Sequence, residues 1–340
     1  MLDWNAFLAT KGAAATADGK VEFPVTDFSP EQTYLIPLAQ GLIEIKGPDS
    51  AKFLQGQVTC DVRELSMKTT RLGAQCNPKG RMLLCFRALQ TDAERILLRV
   101  GAGLVEKGLA SLGKYIVFSK AKLANQSEAY RCLGIAGPNA TQIIEQAFGL
   151  NVPNNEDWEA AGENLVIRLD ENRYECWVIA TEAEYLWNLI SEKAIPANQN
   201  HWNLFNIRAG LGDITPETYE AFTPQTINFQ LVNGINFRKG CYTGQEIVAR
   251  LHYRGTLKRH MYRFGFESNQ LPVAGSELVN SEGKAVGEVV LATWVSAGKG
   301  ELLASVVDDE LGSVQLANNT QKLRLLSLPY AIPTPNEADE

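Results

Sequence analysis

The chain has 340 residues, of which 45% are hydrophobic, 21% charged and 9% aromatic, and its formal net charge is -7. That length allows two or three domains and a sizeable core, and the composition excludes a disordered chain or a fibre. The acidic balance argues against a general polyanion binder, because attraction to phosphate needs a positive surface.

Residues 1–35 read as polar and irregular. Their first 20 carry Asp3 and a run of Ala, Thr and Gly in place of a basic segment followed by an apolar one, so no export signal is expected. Residues 41–46 alternate like a strand. Gly47, Pro48 and Asp49 open a helix with Ala51, Phe53 and Leu54 on its apolar side. Strands are predicted at 81–89 and 95–100, with a hairpin turn at 90–93 between them. A helix at 103–112 and a strand at 115–119 follow. The pattern then repeats loosely: a strand at 131–136, a helix from Pro138 to about 148, and strands at 165–169 and 174–180. Thr181 and Glu184 have the spacing of a capping box before the next helix.

Both halves mix strands and helices in short units, which predicts α+β layers. Past Arg254 short strands dominate, at 262–266, 277–279, 287–294, 302–307 and 323–328, with turns at 280–283 and 318–319. Such spacing means a small barrel or sandwich. The reading is thus a first α+β region at 1–125, a second at 126–253, a C-terminal β-barrel at 254–330 and a tail at 331–340. Residues 115–118 and 289–292, the apolar runs, are strand-sized and too short for a membrane span.

The cysteines are Cys60, Cys76, Cys85, Cys132, Cys176 and Cys241, and none forms a C-x-x-C pair. They read as free thiols in a reducing cytoplasm. Five are expected to be small buried hydrophobes. Cys241 is the exception, and it is the candidate reactive thiol. It lies two residues before Thr243, which has capping-box spacing to Glu246, so a helix dipole would face it. Arg238 and Lys239 add positive charge, and each influence favours a thiolate. The plain alternative is a structural loop with an ordinary cysteine. No metal site is expected, since His201, His252 and His260 are too few and badly spaced, and His201 reads as ordinary helix surface. No phosphate-cradling loop or nucleophile elbow is present.

From 238 to 263 seven Lys or Arg (238, 239, 250, 254, 258, 259 and 263) face one acid, Glu246. A positive strip on a negative protein suits an anionic ligand such as a folate glutamate tail, a phosphate or RNA. A solvated face, or arginines pairing with the abundant acids elsewhere in the chain, is the alternative.

The run Lys239, Gly240, Cys241, Tyr242, Thr243, Gly244, Gln245, Glu246 resembles the signature of the YgfZ family. Further resemblance lies in residues 53–62, 114–120, 202–210, 222–225 and 328–330. These proteins are folate-binding and tRNA-modifying, and are related to a mitochondrial iron–sulfur assembly factor and to aminomethyltransferases of the glycine cleavage system. The resemblance implies a three-domain ring: two interlaced, ferredoxin-like α+β domains around a folate cavity, plus a C-terminal β-barrel. It implies tetrahydrofolate as ligand, with Trp202, Lys239, Gly240 and Tyr242 as binding residues. A flat indole suits a flat pterin, and a core tryptophan is the alternative. A second tryptophan of the family's folate site falls near Gln40 here, where this sequence has none.

The aminomethyltransferases carry a catalytic acid in the stretch matching residues 77–85, where Leu83 and Leu84 stand instead. Leucine cannot hold a proton, so aminomethyl transfer is expected to be absent. The implied function is a folate-binding accessory protein that supports assembly or repair of iron–sulfur enzymes and thereby tRNA modification, with those enzymes or assembly proteins as partners. The alternatives are a folate-dependent transferase or demethylase of unknown substrate, with Cys241 or Glu246 as base, and then a direct tRNA binder using the basic strip.

Overall fold

The computed structural model describes residues 3–15, 21–24, 27–253, 257–317 and 321–333. Arg254 of the basic strip, the turn at 318–319 and most of the tail lie outside the described residues. After α1 (Trp4–Thr10), a ribbon of β1 (Ala14–Ala15) and β2 (Val21–Glu22) leads to β3 (Tyr34–Pro37) and β4 (Gln40–Lys46). Next come α2 (Ser50–Gln55), β5 (Thr70–Cys76), β6 (Met82–Asp92), β7 (Arg95–Gly101), α3 (Val105–Gly113) and β8 (Lys122–Asn125). The middle holds β9 (Tyr130–Ala136), α4 (Ala140–Phe148), β10 (Trp158–Ala161), β11 (Asn164–Asp170), β12 (Arg173–Ile179), α5 (Ala183–Ser191), β13 (Ile195–Pro196) and α6 (Gln199–Arg208). Then α7 (Gln245–Tyr253) precedes β14 (Arg259–Glu267), β15 (Glu277–Val279), β16 (Ala285–Ser296), β17 (Lys299–Val307), β18 (Gln315–Leu316) and β19 (Arg324–Leu326).

The first sheet has the order β5-β6-β7-β4-β8 and the second β10-β11-β12-β9-β3-β13. Their strands are apolar on both faces because both faces are covered. In the first sheet Ile43, Ile45, Leu84, Phe86, Ile96 and Leu98 face one core with Leu54 of α2 and Leu112 of α3. Leu42, Leu89 and Leu97, one residue out of phase, face the other way, toward Ile167 and Trp177 of the second sheet. The second sheet's far face, with Leu133, Ile135, Val166 and Val178, is covered by Ile143 and Ile144 of α4 and Leu186, Trp187 and Ile190 of α5. The layers therefore run helix, sheet, sheet, helix.

The chain crosses between the layers three times, from β3 to β4, from β8 to β9 and again after α6. Strand β3 pairs with β9 in the second sheet, whereas β4, two residues further on, belongs to the first. Ile214, Phe222, Ile227, Phe229, Ile235 and Val248 return to the core of the first sheet. Linear boundaries at 125 and 253 cut across this exchange, because burial follows the nearest apolar face and not chain order.

The third sheet, β18-β15-β16-β17-β14-β19, is a half-barrel. An isolated bridge from Gln315 to Lys322 joins the segments at its two edges. A register shift between Val289 and Leu291 and another between Trp294 and Ser296 bend β16. Helix α6 lies between the second and third sheets. It buries His201, Trp202, Leu204 and Ile207, which do not share one face, because it has sheet on two sides. Thr293 of β16 donates to the Asn200 carbonyl at 2.9 Å, and Arg208 pairs with Glu301 of β17 at 3.0 Å.

Four local expectations are corrected. Residues 115–119 form no strand: Ile116–Phe118 is a single 3-10 turn, since only Ile116 finds a core. The β6–β7 turn is tighter than 90–93, because Gln90 and Asp92 are still paired. Helix α5 starts at Ala183 after Glu182, so Thr181 is not its cap; the Glu182 carboxylate accepts from Asn164 at 2.7 Å. His201 is 5% exposed, not helix surface.

Candidate functional site

The run 239–246 is a loop and the first turn of α7, and two glycines determine where it lies. Asn77 closes the β5–β6 turn, its side-chain oxygen accepting from the amides of Lys79 at 2.8 Å and Arg81 at 3.0 Å. Gly80 has φ +71° and a Cβ there would lie 2.9 Å from Ile247. Gly244 has φ +84° and a Cβ there would lie 2.5 Å from the Asn77 carbonyl oxygen. Both positions need a left-handed backbone and a bare Cα, so α7 can rest directly on the turn. The helix begins at Gln245, which puts Gly244 and not Thr243 before it. The expected capping box of Thr243 and Glu246 is therefore not formed; the close approach to the turn decides the helix start.

The same loop is stitched to the segment after α2. The Thr59 hydroxyl donates to the Gly234 carbonyl at 2.6 Å, and the Thr59 carbonyl accepts from the Asn236 amide at 2.9 Å. Lys239 is 5% exposed, and its Nζ donates to the carbonyls of Gln55, Val58 and Cys60 at 2.8, 2.6 and 2.7 Å. Burial pushes its pKa down to about 8. Three carbonyl acceptors match the three protons of an ammonium, so it is charged at neutral pH. It lies 5.0 Å over the ring of Tyr242, which is itself buried and neutral, its phenol pushed up by burial. Between these two anchored side chains, Gly240 and Cys241 form an exposed tip. Cys60, Cys76, Cys85, Cys132 and Cys176 are buried and Cys241 is exposed, the division read from the sequence.

Beside this loop opens a cleft of about 710 Å³. One wall is aromatic: the rings of Phe237 and His252 stack at 3.7 Å and 9° between planes, with Tyr253 edge-on to both. Charged side chains line the cleft as well, Asp61, Glu64, Arg71, Glu156 and Arg238, among apolar and neutral ones such as Leu72, Val232 and Ile235. Glu64 is held by Arg71 at 3.0 Å and by the Asn236 amide group at 2.8 Å. The Asp61 carboxyl is pulled down to about 2 by its hydrogen bonds from Arg63. Cys60 also lines the cleft, its thiol pushed up to about 12 by burial. Glu156 and Asn233, two of the four non-glycine residues with positive φ among the described residues, sit in this wall. Such a backbone is uncommon for glutamate. Phe237 and His252 are fifteen residues apart and Glu156 is distant from both, so no linear pattern announces this group.

Leu72 lines both this cleft and a much smaller chamber of about 30 Å³ between the first two sheets. Arg87, Arg99 and Asp213 fill that chamber. Arg99 pairs with the fully buried Glu175 at 3.0 Å, and burial holds the Asp213 carboxyl above the usual carboxylate range. The space takes about one water, not a pterin. The lateral cleft is the larger of these two spaces, and charged side chains occupy the layer between the sheets.

Trp202 is 2% exposed. A Cβ on Gly134 of β9 would lie 2.6 Å from the indole, so that glycine is the flat surface on which the ring packs. The Arg173 guanidinium is 5.6 Å from its centre. The ring belongs to the core between the first two sheets. On β6, Leu84 is fully buried and Leu83 is 9% exposed, so no carboxylate stands there. The basic strip is dispersed. Lys239 is buried, Arg263 is spent on Glu301 at 2.7 Å and His260 faces Asp308 at 3.0 Å. Arg238, Arg250 and Lys258 remain exposed. Among the described residues no group of three or more His, Cys, Asp or Glu is placed to hold a metal ion. No helix among them is long and apolar enough to cross a membrane.

The fold is that of the glycine-cleavage aminomethyltransferases. Aminomethyltransferase T from Bartonella henselae superposes over 95% of both chains with a TM-score of 0.76 at 18% identity, and residues 39–193 match the GCVT N-terminal domain family. Sequence relatives are nearer. A tRNA-modifying protein YgfZ from Photobacterium profundum is 35% identical over 86% of this chain and 89% of its own. Another from Yersinia enterocolitica is 31% identical over 86% of this chain and 90% of its own. The chain belongs to the YgfZ family.

Proposed function

We propose that this chain is a folate-binding accessory protein that supports tRNA modification by way of the assembly or repair of iron–sulfur enzymes. The observation that carries the reading is an exposed thiol on an anchored loop beside a large cleft: Cys241 stands three residues beyond Arg238, which lines the cleft. Tetrahydrofolate carries a bicyclic pterin, flat in its pyrimidine half, on an arm ending in carboxylates, and the cleft offers a group for each part. Phe237 and His252 suit the ring face, Glu64 or Glu156 its donor edge, and Arg71 or Arg238 the carboxylates. A volume of about 710 Å³ suits a ligand of this size.

Bound folate would supply a carried one-carbon group. The chain's own residues bind and orient it. Lys239 and Tyr242 fix the loop, and Gly240 leaves room for close approach. Cys241 is the functional thiol. One thiol cannot hold a cluster, which needs about four protein ligands, so a partner would complete any such site. Leu83 and Leu84 offer no proton acceptor for aminomethyl transfer. The relatives' description as tRNA-modifying supports the role in tRNA modification.

Titration with tetrahydrofolate, followed by tryptophan fluorescence, tests the ligand class. Saturable binding is expected, weakened about tenfold or more in Phe237→Ala by loss of a stacking face. Cys241→Ala should bind as wild type yet fail to restore tRNA modification in cells lacking the protein. Absence of saturable binding, or full complementation by Cys241→Ala, would sink the proposal.

A further inference from the structure

We infer that the turn between α3 and β8 is an RNA-contact surface, its aromatic tip taking unpaired bases and the lysines around it taking phosphates. This rests on the link to tRNA modification in the reading above, adds to it a direct contact with RNA, and is independent of the folate half. In this turn Phe118 is 98% exposed, Val117 73% and Tyr115 44%.

The turn is built, not loose. Ile116 packs on the first core, and the Ser119 amide closes the turn on the Ile116 carbonyl at 2.8 Å. The Lys120 amide donates to the Asp49 carboxylate at 2.7 Å and its carbonyl accepts from the Asp49 amide at 3.3 Å. Gly47, at φ +138°, lets the end of β4 pass so close that a Cβ there would lie 2.3 Å from the Lys120 oxygen. An apolar cluster held rigidly in water marks a contact surface.

Charge says what kind. Lys46, Lys114, Lys120 and Lys122 are exposed, and the β4–β8 register sets Lys46 directly opposite Lys122. Like charges placed opposite each other cost stability, so the fold bears this arrangement without gaining from it. Asp49 is the only acid in residues 46–49 and 114–122, and none of the four lysines has an ion pair among the described residues. The surface is thus locally positive on a chain of net charge -7. Stacking rings surrounded by lysines are what single-stranded or looped RNA requires.

The test uses the full chain and an unmodified tRNA transcript, with binding read by fluorescence anisotropy at about 50 and 200 mM salt. Phe118→Ala is expected to weaken binding about tenfold. Lys114→Ala with Lys120→Ala and Lys122→Ala should lower the slope of log affinity against log salt by about 2 to 3. Arg250→Ala with Lys258→Ala, on the motif side, should bind as wild type. The tetrahydrofolate titration runs in parallel and should be unchanged in every variant. If that titration fails while RNA binding depends on the turn, the folate reading falls and this inference stands. It is overturned if the wild-type chain does not bind the transcript, if the turn variants bind as wild type, or if the Arg250 and Lys258 variant loses binding instead. It is equally overturned if Phe118 matters for vesicles of phosphatidylcholine and phosphatidylserine but not for RNA.

Discussion

His201 lies with its ring 4.6 Å from Tyr34 and 6.3 Å from Phe28, and neither ring nitrogen has a hydrogen-bond partner. Burial lowers its pKa. In the unfolded chain it takes a proton at about 6.5, before the folded chain does. The unfolded state therefore binds more protons in that window, and stability falls as pH drops through about 6.5 toward the lowered folded value. His201→Phe should flatten this decline between about pH 7 and 5 in urea unfolding; an unchanged slope would refute the assignment. Two neighbours in the motif should behave oppositely. Lys239→Met leaves three carbonyls without donors and should cost about 3 kcal/mol. Cys241→Ala, at an exposed tip, should change stability by less than about 0.5 kcal/mol. Guanidinium unfolding of both variants checks the contrast, and a large loss in Cys241→Ala would mean that the thiol is structural.

At the scale of elements, α7 and the β5–β6 turn are held together by missing side chains. Gly244→Ala combines a positive φ with a Cβ 2.5 Å from a backbone oxygen. It should cost about 2 kcal/mol or more and free α7 from the turn, raising amide exchange across 245–253. A change of a few tenths of a kcal/mol would show that the helix can shift without loss. The same contact explains why capping-box spacing misled: Thr243 and Glu246 have the right separation, but the helix start is decided by where Gly244 meets Asn77. Helix α6 shows another limit. Its apolar and polar residues have no helical stripe, because it is enclosed by two sheets, so its buried histidine looked like surface.

Across the whole molecule, Glu301 of β17 ties the third sheet to α6. It accepts from Arg208 at 3.0 Å and from Arg263 at 2.8 Å, and it is 8% exposed. Glu301→Gln removes the charge that two partly buried guanidinium groups share, and should cost about 2 kcal/mol. The third sheet should then melt at lower temperature than the rest, as a separate calorimetric transition. A single unshifted transition would mean that apolar contacts alone dock the sheet.

The amino-acid sequence by itself determined β4, β6 and β7 of the first sheet, β9, β11 and β12 of the second, the β-rich C-terminal part and the singular status of Cys241; it did not mark β3, β5, β8, β10 or β13. The features it determined follow from local periodicity and from a motif contiguous in the chain. Only the tertiary structure decided which sheet β3 joins, that Lys239 and Arg263 spend their charge internally, and that Trp202 lies on Gly134. It alone assembled Phe237, His252 and Glu156 into one cleft, and Lys46 and Lys122 into one positive face. The physical reason is that pairing, burial and cavity shape depend on residues far apart in the chain, which periodicity does not register.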